Sequence, residues 1–143
     1  MKSINMNEVK KEFQSTQRYF NGWNPDTMQP MEKDMDKYFE LKNEITQKYC
    51  TDKISQSEQG IILYAEEHYD EITIWDETFH IGDEIRSYWL SGDMEGTIES
   101  IKVYFSTVSW ELEWEMEIKT RFNDNMKVQK QNSPHLLSTL QHA

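Results

Sequence analysis

The stretch VSWELEWEMEI, residues 108–118, decides the fold. Val108, Trp110, Leu112, Trp114, Met116 and Ile118 fall on one parity, and Ser109, Glu111, Glu113, Glu115 and Glu117 on the other. Successive strand residues point to opposite faces of a sheet, so the spacing predicts a strand with one apolar and one acidic face. A helix would spread the same residues around its whole circumference. At about 3.3 Å per residue, alternate glutamates of such a strand stand roughly 7 Å apart.

The charge around this strand is uneven. The 143-residue chain carries a net charge of −11. Residues 1–60 hold 9 Lys/Arg and 10 Asp/Glu, residues 61–122 hold 4 and 15, and residues 123–143 hold 2 and 1. Almost all the imbalance therefore lies in the segment that contains the organising strand. Such a field repels nucleic acid and anionic membrane and attracts basic protein surfaces. Five Trp, seven Tyr and six Phe supply core material, and a chain of this length buries a core without disulfides or a structural metal. Cys50 is the one cysteine and has no internal partner for a disulfide, which fits a reducing compartment. No apolar run approaches the ~20 residues of a membrane span, and the opening MKSINMNEVKKEF has no apolar signal core. A cytoplasmic location is the expectation.

Upstream of the strand the period of two extends back to Glu71. Ile72 and Ile74, Phe79 and Ile81, Ile85–Leu90 and Gly96–Phe105 read as strands, separated by turns at Gly82-Asp83 and Ser91-Gly92-Asp93. The apolar parity breaks between Ile98 and Ile101, which predicts a bulge at Glu99-Ser100. Before Glu71 the spacing is helical. Met6, Val9, Phe13 and Phe20 mark a first helix behind a frayed start. A loop over Asn21–Gln29 carries Trp23 as a plug on the core. Met31, Met35, Tyr38, Leu41, Ile45 and Tyr49 mark a second helix that opens near Pro30. Ser55-Gln-Ser-Glu58 has capping-box spacing and predicts a third helix over Gln56–Tyr69, with a short strand at Ile61–Tyr64 as the alternative. The polar residues from Asn123 onward read as a flexible tail, with Leu136, Leu137 and Leu140 able to form a short docking helix. The division is thus 1–70 helical, 71–122 antiparallel β, and 123–143 tail.

The run FHIGDEI (residues 79–85), followed by EGTIESI (residues 95–101) and then the long alternating strand, resembles SH3-like small barrels of the Tudor and KOW kind. The resemblance spans about Thr78–Phe122. It implies an α+β chain in which N-terminal helices precede an antiparallel, SH3-like small β-barrel. Such barrels bind peptides or nucleic acids, but the basic residues of the nucleic-acid-binding members are largely Asp and Glu here.

No catalytic or cofactor constellation stands out. Glu66, Glu67, His68, Asp70 and Glu71, with His80 nearby, lack HExxH or paired Cys/His spacing and read as a solvated helix end rather than a metal site. The five glycines form no phosphate-binding loop. The acidic row is the candidate site: Glu111, Glu113, Glu115 and Glu117, widened by Glu95 and Glu99 on the neighbouring strand and by Asp83, Glu84 and Asp93 in the loops. Its simple reading is a solubilising face. Its functional reading is an anionic surface that binds a basic protein, a nucleic-acid-handling enzyme being the foremost candidate, by mimicry of the phosphate line. Small acidic inhibitors of phages and mobile elements, including anti-CRISPR and anti-restriction proteins, share this size and charge. The expectation is therefore a non-enzymatic inhibitor or adaptor without cofactor, metal, membrane or direct nucleic-acid contact. The alternatives are an SH3-like peptide-binding module using Tyr88, Trp89 and Tyr104, and a carboxylate enzyme or metalloprotein.

Overall fold

The computed structural model describes residues 1–19 and 32–138. Phe20, the 21–29 loop with Trp23, Pro30, Met31 and Leu140 lie outside the described residues. The chain is α+β. Its strands are β1 (Ser3–Asn5), β2 (Lys53–Gln56), β3 (Ile62–Tyr69), β4 (Glu71–Ile74), β5 (Glu77–His80), β6 (Glu84–Trp89), β7 (Gly92–Ser106), β8 (Glu111–Thr120), β9 (Asn125–Val128) and β10 (His135–Leu136). Its α-helices are α1 (Met6–Ser15), continued by a 3-10 turn over Thr16–Tyr19, and α2 (Glu32–Tyr49). A three-stranded sheet has the order β1-β4-β5. The second sheet has the order β10-β6-β7-β3-β2, with β8 pairing β7 and β9 pairing β8. Among the described residues no sheet closes into a barrel. The expected small barrel required residues 71–122 to pair among themselves, whereas β4 takes β1 as a partner and β7 takes β3. No described helix is long and apolar enough to cross a membrane.

The chain divides into two bodies. The first comprises residues 1–7, 68–104 and 113–138. Here β1 runs parallel to β4, with Ile4 opposite Ile72, and β4 and β5 form an antiparallel hairpin. The start of the chain is thus a strand rather than a frayed end, because Ile4 is buried by this pairing. A two-residue loop at Leu90-Ser91 joins β6 to β7, so this turn comes just before the expected one. The burial along β7 breaks parity between Ile98 and Ile101, where the sequence places the bulge. On β8, Trp114, Met116 and Ile118 are buried while the residues between them are half-buried. Gly96 lies under β8, where an added Cβ would meet the Lys119 carbonyl oxygen at 2.9 Å. The segment expected as a tail continues the architecture. β9 pairs β8, with Ile118 opposite Met126, and β10 pairs β6. Val128 and Asn132 are buried, and Asn132 Nδ2 donates to the Tyr88 carbonyl at 3.2 Å.

The second body comprises residues 8–19, 32–67 and 105–112. Glu12 on α1 accepts from Lys48 Nζ at 2.6 Å and from the Tyr49 hydroxyl, which ties α1 to α2. The buried line of α2 is Tyr38, Lys42, Thr46 and then Cys50, at intervals of four. Of the predicted stripe, Tyr38 is buried, whereas Leu41, Ile45 and Tyr49 are only half-buried. Apolarity misplaces the stripe because the stem of Lys42 packs inside while its ammonium finds a backbone acceptor. Residues 53–69 form a hairpin instead of the predicted third helix. Ser57 N–H donates to the Ile61 carbonyl at 2.8 Å, its hydroxyl accepts from Ile61 N–H at 3.1 Å, and Gly60 has φ +83°. Serine side chains serve caps and turns with the same local bonds, and the left-handed glycine selects the turn here.

The organising strand begins at Glu111, three residues later than its alternation predicts. Ser106 closes a turn ahead of it. Its hydroxyl accepts from Val108 N–H and Ser109 N–H, and its carbonyl accepts from Trp110 N–H at 2.8 Å. Val108 is therefore 93% exposed, and Trp110, at φ +55°, is outside the strand. The Trp110 ring meets Phe39 and Phe105 edge-on at 6.0 and 5.9 Å.

Candidate protein-binding face

Strand β8 positions the acidic row. Its apolar side chains are held in the core, so the glutamates at 113, 115 and 117 stand on the opposite face of a fixed strand. Glu111 continues the alternation at the start of the strand and belongs to the second body. The row is not uniformly anionic. Glu115 lies 3.4 Å from Lys102 Nζ on β7 and accepts from Gln129 Nε2 at 2.9 Å. Glu117 stands directly opposite Lys127 of β9, and Lys119 follows on the same face of β8. The carboxylates thus form a stripe bordered by lysines. Burial pushes the Tyr104 phenol above its ordinary value, and the charges of Glu113 and Glu115 push it further.

Folding also redistributes charge. Among the described residues, the first body carries 13 Asp/Glu against 7 Lys/Arg, and the second 12 against 8. The concentration in residues 61–122 is therefore shared, because the C-terminal lysines join the first body.

Three of the flanking acids are placed differently. Glu95 is opposite Arg86 in the β6–β7 hairpin and accepts from its Nε at 3.1 Å and its Nη2 at 2.7 Å. Asp93 is opposite Tyr88. Asp93 and Glu95, with Arg86, Met94, Arg121 and Phe122, line a cavity of about 340 Å³. Glu99 is exposed at the parity break of β7. The structure gathers Glu113, Glu115 and Glu117 on one strand face and sets Asp93 and Glu95 about a separate concavity. That concavity was invisible in the sequence, since Arg86 and Arg121 are far apart in the chain and meet only through the hairpins.

The remaining candidates have partners of their own. Glu66 and Glu67, expected on a solvated helix end, are buried on β3. Glu66 accepts from the Tyr64 hydroxyl and lies 3.2 Å from Lys53 Nζ, and Glu67 accepts from Thr51 N–H at 3.0 Å. Asp70 accepts from Lys2 N–H at 3.0 Å. Glu71 and Asp83 flank His80 at 2.9 and 3.3 Å. Of the aromatics, Trp89 donates its indole N–H to Ser87 at 2.8 Å, Tyr88 meets His135 edge-on at 6.2 Å, and Tyr104 lies under Lys102 at 5.7 Å.

Comparison with protein-family models, with curated proteins and with solved structures gives no match for this chain.

Proposed function

We propose that this chain is a non-enzymatic, anionic binding protein, an adaptor or inhibitor that docks on a basic partner through the outer face of β8. A nucleic-acid-handling protein, whose groove is built to receive evenly spaced negative charge, is the partner class this surface suits. The inhibitors of phages and mobile elements, the anti-CRISPR and anti-restriction proteins among them, offer the parallel in size and charge. One observation carries the reading. Glu113, Glu115 and Glu117 occupy alternate positions on one half-buried face of a strand whose other face is buried, so their backbone positions repeat at roughly 7 Å, with Glu115 held by Lys102 and Gln129. The lysines offset part of the repulsion within the row, and a basic partner neutralises the remainder. The bordering lysines Lys102, Lys119 and Lys127 make the surface a pattern rather than a uniform sheet of charge. Patterned charge favours a partner of matching layout over indiscriminate polycation binding.

Capture from a cell lysate at low and high salt tests this, with wild type beside the Glu113→Gln, Glu115→Gln, Glu117→Gln triple variant. The wild type is expected to retain a basic protein at low salt and release it as screening rises. The triple variant is expected to lose it while its circular dichroism stays unchanged. Undiminished capture by the triple variant refutes the reading.

A further inference from the structure

We propose that Trp75 is the anchor by which the β4–β5 hairpin seats on an arginine-rich surface of the partner, an inference that rests on the chain's being a binder of a basic protein. Trp75 and Asp76 form the two-residue loop between Ile74 and Glu77. The indole is 67% exposed, so the fold gains little from burying it. Its backbone lies at φ +55°, the left-handed region that glycine or asparagine ordinarily fills in such loops. A bulky side chain persists there only where its surroundings hold it. Asn7 does so from the first turn of α1. Its Nδ2 donates to the Trp75 carbonyl at 2.7 Å, and its Oδ1 accepts from Trp75 N–H at 3.1 Å. A strained, clamped and exposed tryptophan has no folding reason at a position where glycine would be free of strain.

The surrounding charge indicates what the indole meets. Asp76 and Glu77 adjoin the indole, Glu77 also meeting His135 at 3.0 Å; Asp70, Glu71, Asp83 and Glu84 lie toward the other end of the hairpin, and residues 69–85 contain no Lys or Arg. Lys2 joins at the far end of the hairpin, over the Tyr69 ring at 5.4 Å. Carboxylates steer a cationic surface toward the hairpin. The indole face then receives a guanidinium through its ring quadrupole, for which tryptophan is the strongest side chain. Tryptophan and arginine are also the side chains most enriched where binding energy concentrates.

The test titrates an arginine-rich peptide of about ten residues, enough to span the hairpin, into the wild-type chain and three variants at low and raised salt. Trp75→Gly removes the indole and the strain together, so the fold survives and the peptide is expected to bind about thirtyfold more weakly, a loss of hot-spot size. Trp75→Phe, which keeps an aromatic face, is expected to hold most of the affinity, and Asn7→Ala to weaken binding by a smaller factor. Wild-type affinity in Trp75→Gly overturns the proposal. Should the Glu113, Glu115 and Glu117 glutamines abolish binding while Trp75→Gly does not, the anchor is wrong and the proposed function stands. Absence of peptide binding by the wild-type chain at low salt overturns both.

Discussion

The ammonium of Lys42 lies 2.8 Å from the carbonyl oxygen of Trp110, with only 4% of the lysine exposed. The same ammonium stands 4.6 Å from the centre of the Tyr38 ring. A helix side chain thus satisfies the backbone of a residue held at positive φ just before β8. Lys42→Met keeps the alkyl stem and removes the donor. A hydrogen bond from a charged donor contributes about 1.5–3 kcal/mol, and loss of the buried charge returns part of that. A net destabilisation of about 1–2 kcal/mol is expected in urea unfolding, together with a shift in tryptophan fluorescence. A more stable methionine variant would show that desolvation of the ammonium outweighs its bond.

One turn further along α2, the hydroxyl of Thr46 is buried and has no hydrogen-bond partner among the described residues. An unpaired buried hydroxyl costs about 1–3 kcal/mol. Thr46→Val exchanges it for a methyl of similar shape and keeps the β-branch. The variant is expected to gain about 1 kcal/mol, read as a higher urea midpoint with an unchanged slope. A lowered midpoint would mean that the hydroxyl is bonded through water in solution.

Gly96 is small because β8 crosses it. A methyl there would lie 2.9 Å from the Lys119 carbonyl oxygen and 3.0 Å from Ile118 Cδ1. The first neighbour is backbone and cannot rotate aside. Gly96→Ala is expected to destabilise by about 1–3 kcal/mol, and amide exchange at Ile118 and Lys119 should quicken more than elsewhere. Unaltered stability would show that β8 shifts freely over β7.

Tyr104 reports on the acidic row. Burial, and then the charges of Glu113 and Glu115, raise its phenol above the ordinary value of 10.0. The neutral phenol is therefore the form the fold favours. That contribution is fully present below pH 10.0 and is lost as pH rises through the folded value. In an ultraviolet titration the Glu113→Gln, Glu115→Gln double variant should move the phenol downward but leave it above its ordinary value, since burial remains. No movement would place Tyr104 outside the field of those glutamates. A basic partner that covers the row should produce the same downward movement in the wild type.

The alternation from Leu112 to Ile118 was legible in the sequence because a strand's period of two is a local property, and the burial follows it residue by residue. The β4, β6 and β7 strands, the parity break between Ile98 and Ile101, and helices α1 and α2 were legible for the same reason. Val108 and Trp110 continue the pattern on paper, yet Ser106 bends the chain beneath them with hydrogen bonds that alternation does not register. The hairpin of residues 53–69 was misread because a serine three residues ahead of an acidic one signals a cap only when a helix follows. Within the candidate face, the carboxylate row was visible and its lysine border was not. Lys102 reaches Glu115, and Lys127 comes opposite Glu117, through strand pairing, which joins residues far apart in the chain.

What the sequence by itself determined is the set of local periods, the two faces of β8 and an excess of negative charge, because each is carried by neighbouring residues. Only the tertiary structure decided that the sheets stay open, that Lys42 is inside, and that Asn7 holds Trp75 in a strained, exposed loop. Those features arise where one segment supplies the hydrogen-bond partner or the pairing edge that a distant segment lacks, and no local pattern encodes which two will meet.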